Sequence, residues 1–225
     1  MKFAHAEQGI RNAIRHLASH TQVQNSCIIH DELQITWQGR KPGIYKNSYY
    51  PIEYQKLLDS QQYSVLLSDG SFFQFYYGFD ATEKLQKGRL AFYPSPIKSS
   101  SSQDEIFVAA EEALDREDLD LYNHLYNWTE LMESQGHSPC NTSHIRFDFD
   151  AAVTAHCQSH MQISGVQELR IAADFFPQPL AFVQICEAVV HGLSPMRMAD
   201  LSFERRHSLN LDKPGSLIHL INWPE

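Results

Sequence analysis

The chain has 225 residues, of which 43% are apolar and 20% charged, with a formal net charge of -9; it is long enough to bury a core of its own and too apolar to be disordered throughout. A pI near 5.7 excludes a surface that is basic all round and attracts nucleic acid in general. Four dispersed cysteines, Cys27, Cys140, Cys157 and Cys186, with no CxxC pair, exclude a ribbon-type zinc signature and read as free thiols in a reducing cytosol.

The opening MKFAHAEQGIRNAIRHLASH lacks the uninterrupted apolar stretch of a signal peptide, and no run of about 18 apolar residues follows anywhere. The expectation is a cytoplasmic protein with no membrane contact. Within residues 5 to 19, Ile10, Ala13, Ile14, Leu17 and Ala18 fall at helical spacing, with Glu7, Arg11, Asn12 and Arg15 elsewhere around the wheel, which predicts an amphipathic helix that docks on its own sheet. CIIHDELQITW, residues 27 to 37, reads as a strand with a break at His30-Asp31, and YYPIEYQKLL, residues 49 to 58, as a short helix or irregular segment beginning near Pro51.

YSVLLSDGSFFQFYYGF, residues 63 to 79, predicts a β-hairpin turning at Asp69-Gly70 through a type I′ turn. Its second arm is aromatic on both faces, as expected of a strand covered on both sides. GRLAFYPSP gives a further strand, and KSSSSQDE a flexible loop near 98 to 104. Residues 104 to 133 predict an acidic helical insertion with an interrupted apolar stripe of Phe107, Ala110, Leu114, Leu121, Leu125 and Trp128, its charges a solvated face. ESQGHSP breaks it. FFPQPLAFVQICEAVVHG predicts a helix ending at Gly192, and SLIHLINWPE a last edge strand.

Chemistry concentrates between His144 and Arg170, in HIRFDFD, AHCQSHMQI and ELRIA. Strands point successive side chains to opposite faces, so His144, Arg146, Asp148 and Asp150 would share one face, as would His156, Gln158, His160 and Gln162, with Glu168 and Arg170 on a third strand. The expected fold is α+β, a single domain over residues 1 to 225. A mainly antiparallel sheet carries an N-terminal helix, the central acidic insertion and a helix from the C-terminal half packed on it.

The order YSVLLSDGSFFQFYYGF, RLAFYPSP, SHIRFDFD, HCQSHMQI, ELRIA and PLAFVQICEAVV resembles the bacterial family known as domain of unknown function 2290, from about Ser64 to about Val190. The resemblance implies cytoplasmic bacterial proteins whose genes sit in mobile or defence-related neighbourhoods. It also implies that a recurring polar motif falls here on Arg146, Asp148, His156, Ser159, His160 and Arg170. It supplies no activity.

Asp148, His156 and His160 are the catalytic candidates, and Arg146, Asp150, Gln158, Glu168 and Arg170 the binding candidates. Imidazole and carboxylate together suit Zn, Mn or Fe, and an arginine suits a phosphate, as in metal-assisted phosphodiester hydrolysis. Strand spacing works against a shared ion, since residues four apart on a strand lie roughly 13 Å apart at about 3.3 Å each, and Cys157 would face away. His160 could instead meet Asp148 across the ladder as an acid-base dyad. Walker, GxGxxG, GxSxG and HExxH signatures are absent. The leading expectation is a non-catalytic accessory or partner-binding subunit of a bacterial multi-protein system, with antiviral defence as its setting. It needs no cofactor, binds a protein partner encoded nearby, and meets nucleic acid only indirectly. The alternative is a metal-dependent nuclease or phosphodiesterase, a hydrolase of phosphodiester bonds, built on Asp148, His156 and His160 with a divalent metal.

Overall fold

A computed structural model describes residues 1–41, 50–96, 103–135, 143–154, 156–163, 170–186 and 209–210. Helix α1 (Phe3–Leu17) turns its apolar face inward, leaving Ala6, Ile10, Ala13 and Leu17 with no exposed surface. The predicted docking in cis is what the chain does: α1 packs on the sheet and on α5 (Pro179–Cys186).

The main sheet is antiparallel at every pairing. Its strands run in the order β1 (Thr21–Gln24), β4 (Val65–Leu67), β5 (Phe72–Phe79), β6 (Leu85–Tyr93), β7 (Ile145–Asp150), β8 (Ser159–Ile163) and β9 (Ile171–Ala172). A hairpin of β2 (Ser26–Ile29) and β3 (Gln34–Trp37) joins through β3 to β5. The break expected at His30-Asp31 is therefore the turn of a hairpin, closed by Leu33 at φ 49. A separate pair joins β10 (Phe175–Phe176) to β11 (Leu209–Asn210).

The Asp69-Gly70 turn differs from expectation. Type I′ needs positive φ at both central residues, but only Gly70 has it, at φ 88. Gly70 N–H donates to Leu67 O at 3.0 Å and Leu67 N–H to Ser71 O at 2.8 Å, which is a three-residue loop with a glycine bulge. Asp69 Oδ1 accepts from Ser71 N–H at 2.8 Å, so the aspartate caps the loop rather than taking a left-handed conformation itself.

Between β6 and β7, which are neighbours in the sheet, the chain inserts α3 (Gln103–Asp115) and α4 (Leu119–Gln135), packed on each other as a helical hairpin. The buried side of α3 is Ile106, Ala110 and Ala113, while Leu114 and Leu121 of the expected stripe are exposed. The reversal at residues 116–118, where Glu117 takes φ 59, breaks the single register on which that stripe depends. Helix α4 runs on through Gln135, the third residue of the ESQGHSP segment expected to break it; the rest of that segment (136–139), the loop at 97–102, Gly192 and the tail strand at 216–225 lie outside the described residues.

Alternation along β5 divides the core. Phe73, Phe75, Tyr77 and Phe79 join Leu90, Phe92, Phe147, Phe149, Phe176 and Phe182 beneath α1 and α5. On the other face Phe72, Ala91 and Tyr93 pack against Tyr50, Tyr54 and Leu57 of α2 (Tyr50–Asp59) and against Tyr63. Both faces of β5 are thus covered at one end, as its double aromatic pattern requires. A polar seam edges this second cluster: Tyr93 Oη donates to Glu53 Oε1 at 3.1 Å, and His144 Nδ1 lies 3.5 Å from Glu53 Oε2. Beyond the seam the same face is polar.

Gly88 lies mid-strand in β6, where a Cβ would meet the Phe176 ring at 2.4 Å. Gly88→Ala is expected to destabilise the fold by about 1–3 kcal/mol through overpacking, read as a lower urea midpoint; an unchanged midpoint would show that Phe176 does not press on β6.

Candidate functional site

The sheet register assembles the site. Tyr76 pairs with Arg89, Arg89 with Asp148, and Asp148 with His160, so one row of side chains crosses β5 to β8 on the polar face. The next row carries Gln74, Ala91, Arg146 and Gln162; the row on the other side carries Gly78, Lys87 and Asp150. A pocket of about 340 Å³ opens over these rows, with Arg40, His156, Gln158 and Arg170 completing its walls.

Asp148 is its electrostatic centre. Arg89 Nε donates to Oδ1 at 2.9 Å, and Arg146 Nε lies 2.6 Å from Oδ2 in a close ionic contact that is not an aligned hydrogen bond. Arg146 also donates from Nη2 to Gln162 Oε1, and Gln162 Nε2 donates to His160 Nε2 at 3.0 Å. Burial alone would raise the Asp148 carboxyl, but Arg146 and Arg89 outweigh it and hold the group below its ordinary value. Burial also opposes charge on Arg89, yet Asp148 more than offsets this and raises the guanidinium. His160, only 4% exposed, is lowered by burial despite the pull of Asp148.

Five cations, Arg40, Lys87, Arg89, Arg146 and Arg170, line the pocket against two carboxylates, Asp148 and Asp150. Asp150 is engaged by Ala152 N–H at 2.9 Å and lies 3.8 Å from Lys87. Arg40 lies over the Tyr76 ring, 3.7 Å from its centroid, and its buried Nε has no hydrogen-bond partner among the described residues. Desolvation lowers Arg40 from its ordinary value. Neither Arg40 nor Arg170 pairs with a carboxylate among the described residues.

Of the residues singled out from sequence, Arg146, Asp148, Asp150, His156, Gln158, His160 and Arg170 all line this pocket; Glu168 lies outside the described residues. Two geometric expectations fail. Strand β8 begins at Ser159, because the ladder with β7 ends at Phe149 and Ser159, so His156 sits on a bend before the strand. Its ring lies 5.0 Å from that of His160, not a strand's length away. For the same reason Cys157 is not turned from the histidines: ligand atoms of His156, Cys157 and His160 lie within 4.8 Å of one another. The expected Asp148-His160 dyad is paired in register, but both Asp148 oxygens are held by arginines, and His160 Nδ1 faces Cys157 O at 3.4 Å.

Sequence reading missed Arg40, Tyr76, Lys87 and Arg89 as site residues. The alternation of Lys87 and Arg89 in KGRLAFY carried a signal for two of them, whereas Arg40 reaches the site from the segment after β3 and leaves no periodic trace.

The fold and site define an α+β protein with an antiparallel sheet whose half-covered face forms a cationic pocket. The chain belongs to the family of uncharacterized conserved proteins DUF2290, whose profile matches residues 17–188. No curated protein and no solved structure matches it. Among the described residues no helix is long and apolar enough to cross a membrane.

Asp148→Asn leaves two partly buried guanidiniums unpaired and is expected to cost roughly 3 kcal/mol near neutrality, the low end for breaking a buried pair. A carboxyl depressed in the folded state stabilises fully above its unfolded value of ~3.9 and loses that contribution as pH falls through the folded value. The gap between wild type and variant in urea unfolding should therefore close below about pH 4; a gap independent of pH would contradict the assignment.

Proposed function

We propose that this chain is a recognition subunit whose pocket binds a small, phosphate-bearing ligand of nucleotide size. It serves as a non-catalytic accessory or partner-binding component of a bacterial multi-protein system, antiviral defence being the setting that the family resemblance suggests. The observation that carries this reading is the surplus of guanidinium groups. In a chain of net charge -9, Arg40 and Arg170 line a pocket without a carboxylate partner among the described residues. Guanidinium forks match the oxygens of phosphate, and charge-assisted bonds to such a group are about twice as strong as neutral ones. The Tyr76 face holds Arg40 in place before a ligand arrives, which reduces the ordering cost of binding. A volume of about 340 Å³ suits a small ligand, not a duplex.

The non-catalytic part of the reading is supported by the state of the carboxylates. Asp148 is occupied by Arg89 and Arg146, and Asp150 by a backbone amide, so neither stands free as a general base. A protein partner is supported by the α3–α4 hairpin, which exposes Val108, Leu119 and Tyr126 amid the acidic block of Glu111, Glu112, Asp115, Glu117, Asp118 and Asp120. Hydrolysis of phosphodiester bonds is the second reading, and the convergence of His156 on His160 favours it.

Calorimetric titration with pyrophosphate and ADP, with citrate as the carboxylate control, tests the proposal. Pyrophosphate and ADP should bind more tightly than citrate, and Arg40→Ala and Arg170→Ala should each weaken them about 10- to 100-fold, corresponding to 1.5–3 kcal/mol for a bond to a charged group. Equal binding of citrate, or indifference to both substitutions, would overturn it. Bis(p-nitrophenyl) phosphate recovered intact after prolonged incubation supports a binding subunit; released p-nitrophenol would favour phosphodiester hydrolysis.

A further inference from the structure

We infer that His156, Cys157 and His160 form a binding site for a transition-metal ion of the zinc class at the rim of the pocket. The three residues fall within the five-residue run HCQSH, and the structure folds that run into a bend followed by the first two residues of β8. One ligand atom from each lies within 4.8 Å of the others. With metal–nitrogen bonds of ~2.1 Å and metal–sulfur bonds of ~2.3 Å, ligands around a tetrahedral ion stand roughly 3.4–3.7 Å apart. Closing the set therefore takes a movement of no more than about 1.4 Å, which the exposed His156 on its bend can supply. Imidazole nitrogen with thiolate sulfur selects zinc, cobalt or nickel over magnesium or calcium.

The surroundings also fix the imidazoles in the form a metal requires. His156 Nδ1 lies 2.8 Å from Cys157 O, and His160 Nδ1 faces the same oxygen at a longer 3.4 Å. A carbonyl oxygen only accepts, so each Nδ1 carries its hydrogen and Nε2 is the nitrogen left to bind an ion. A backbone carbonyl orienting the ligand histidines in this way is common around protein-bound metals. His160 Nε2 now accepts from the Gln162 amide at 3.0 Å, which rotates away when the ion takes that lone pair. Cys157 gives its thiol proton to solvent as the sulfur–metal bond forms, and each imidazole binds in its neutral form.

Three protein ligands leave a fourth position open. His156 and His160 line the pocket, so that position faces the cavity and is filled by water or by an oxygen of an anion held there. The metal site goes beyond the phosphate reading and does not depend on the arginines.

The test uses the full, reduced chain stripped with a chelator and titrated with cobalt(II) and then zinc(II) alone. One ion should bind per chain, and the cobalt form should show a thiolate charge-transfer band in the near ultraviolet. Cys157→Ser should abolish the band, and His156→Ala, at an exposed position, should weaken binding by about 100-fold or more, exceeding the effect of losing an outer partner. Cys27→Ser should change neither. No saturable cobalt binding, or a band that survives both Cys157→Ser and His156→Ala, would overturn the inference. Pyrophosphate titrated into the same metal-free samples separates the two readings: anion binding without metal binding sinks only the metal site, and the reverse sinks only the phosphate pocket.

Discussion

Asp148 stands between Arg89 on the preceding strand of the sheet and Arg146 on its own, and the polar face depends on that contact. Three charged groups on a partly buried sheet surface would repel or desolvate one another if any were unpaired. Sharing one carboxylate between two guanidiniums keeps both arginines extended over the face while leaving their remaining N–H groups for other acceptors. Arg146 already uses one of these on Gln162, which in turn reaches His160. The same contact holds the Asp148 carboxyl below its ordinary value against the effect of burial, so the group that most resembles a catalytic carboxylate in the sequence is paired with two cations.

The pocket exists because α2 covers only part of its sheet face. Tyr50, Tyr54 and Leu57 pack over Phe72, Ala91 and Tyr93, and the buried Glu53, hydrogen-bonded to Tyr93, marks where apolar cover stops. Past that line the residues between strands β5 and β8 must satisfy themselves laterally, and they do so by ion pairs along the register. On the opposite face α1 and α5 seal an aromatic core, which holds the strands rigidly enough for the polar rows to stay aligned. The helical hairpin, inserted between β6 and β7, leaves this pairing undisturbed.

Much of this was legible in the chain. Period-two alternation in HIRFDFD placed Arg146 and Asp148 on one face, and the expected meeting of Asp148 with His160 across the ladder is the observed register. What alternation could not show is where a strand loses its partner. The pattern of AHCQSHMQI continues through His156, yet pairing with β7 starts only at Ser159, so three residues read as strand fold back and bring two histidines and a cysteine together. Arg89 was readable on its own strand but not as a neighbour of Asp148, since 51 residues separate the end of β6 from the start of β7. Arg40 lies in no periodic element. The Asp-Gly turn was legible as a turn but not by type, because a glycine bulge and a type I′ turn draw on the same dipeptide.

The electrostatic surplus on the half-covered face links sequence, fold and function. It is most directly observed through the arginine Nε–H resonances of the isotopically labelled protein during titration with pyrophosphate. The resonances of Arg40, Arg89 and Arg146 should move together along one saturating curve, while those of Arg11 and Arg116, on exposed helix surfaces, stay still. Shifts spread evenly over all arginines, or none at the pocket, would contradict a built phosphate site.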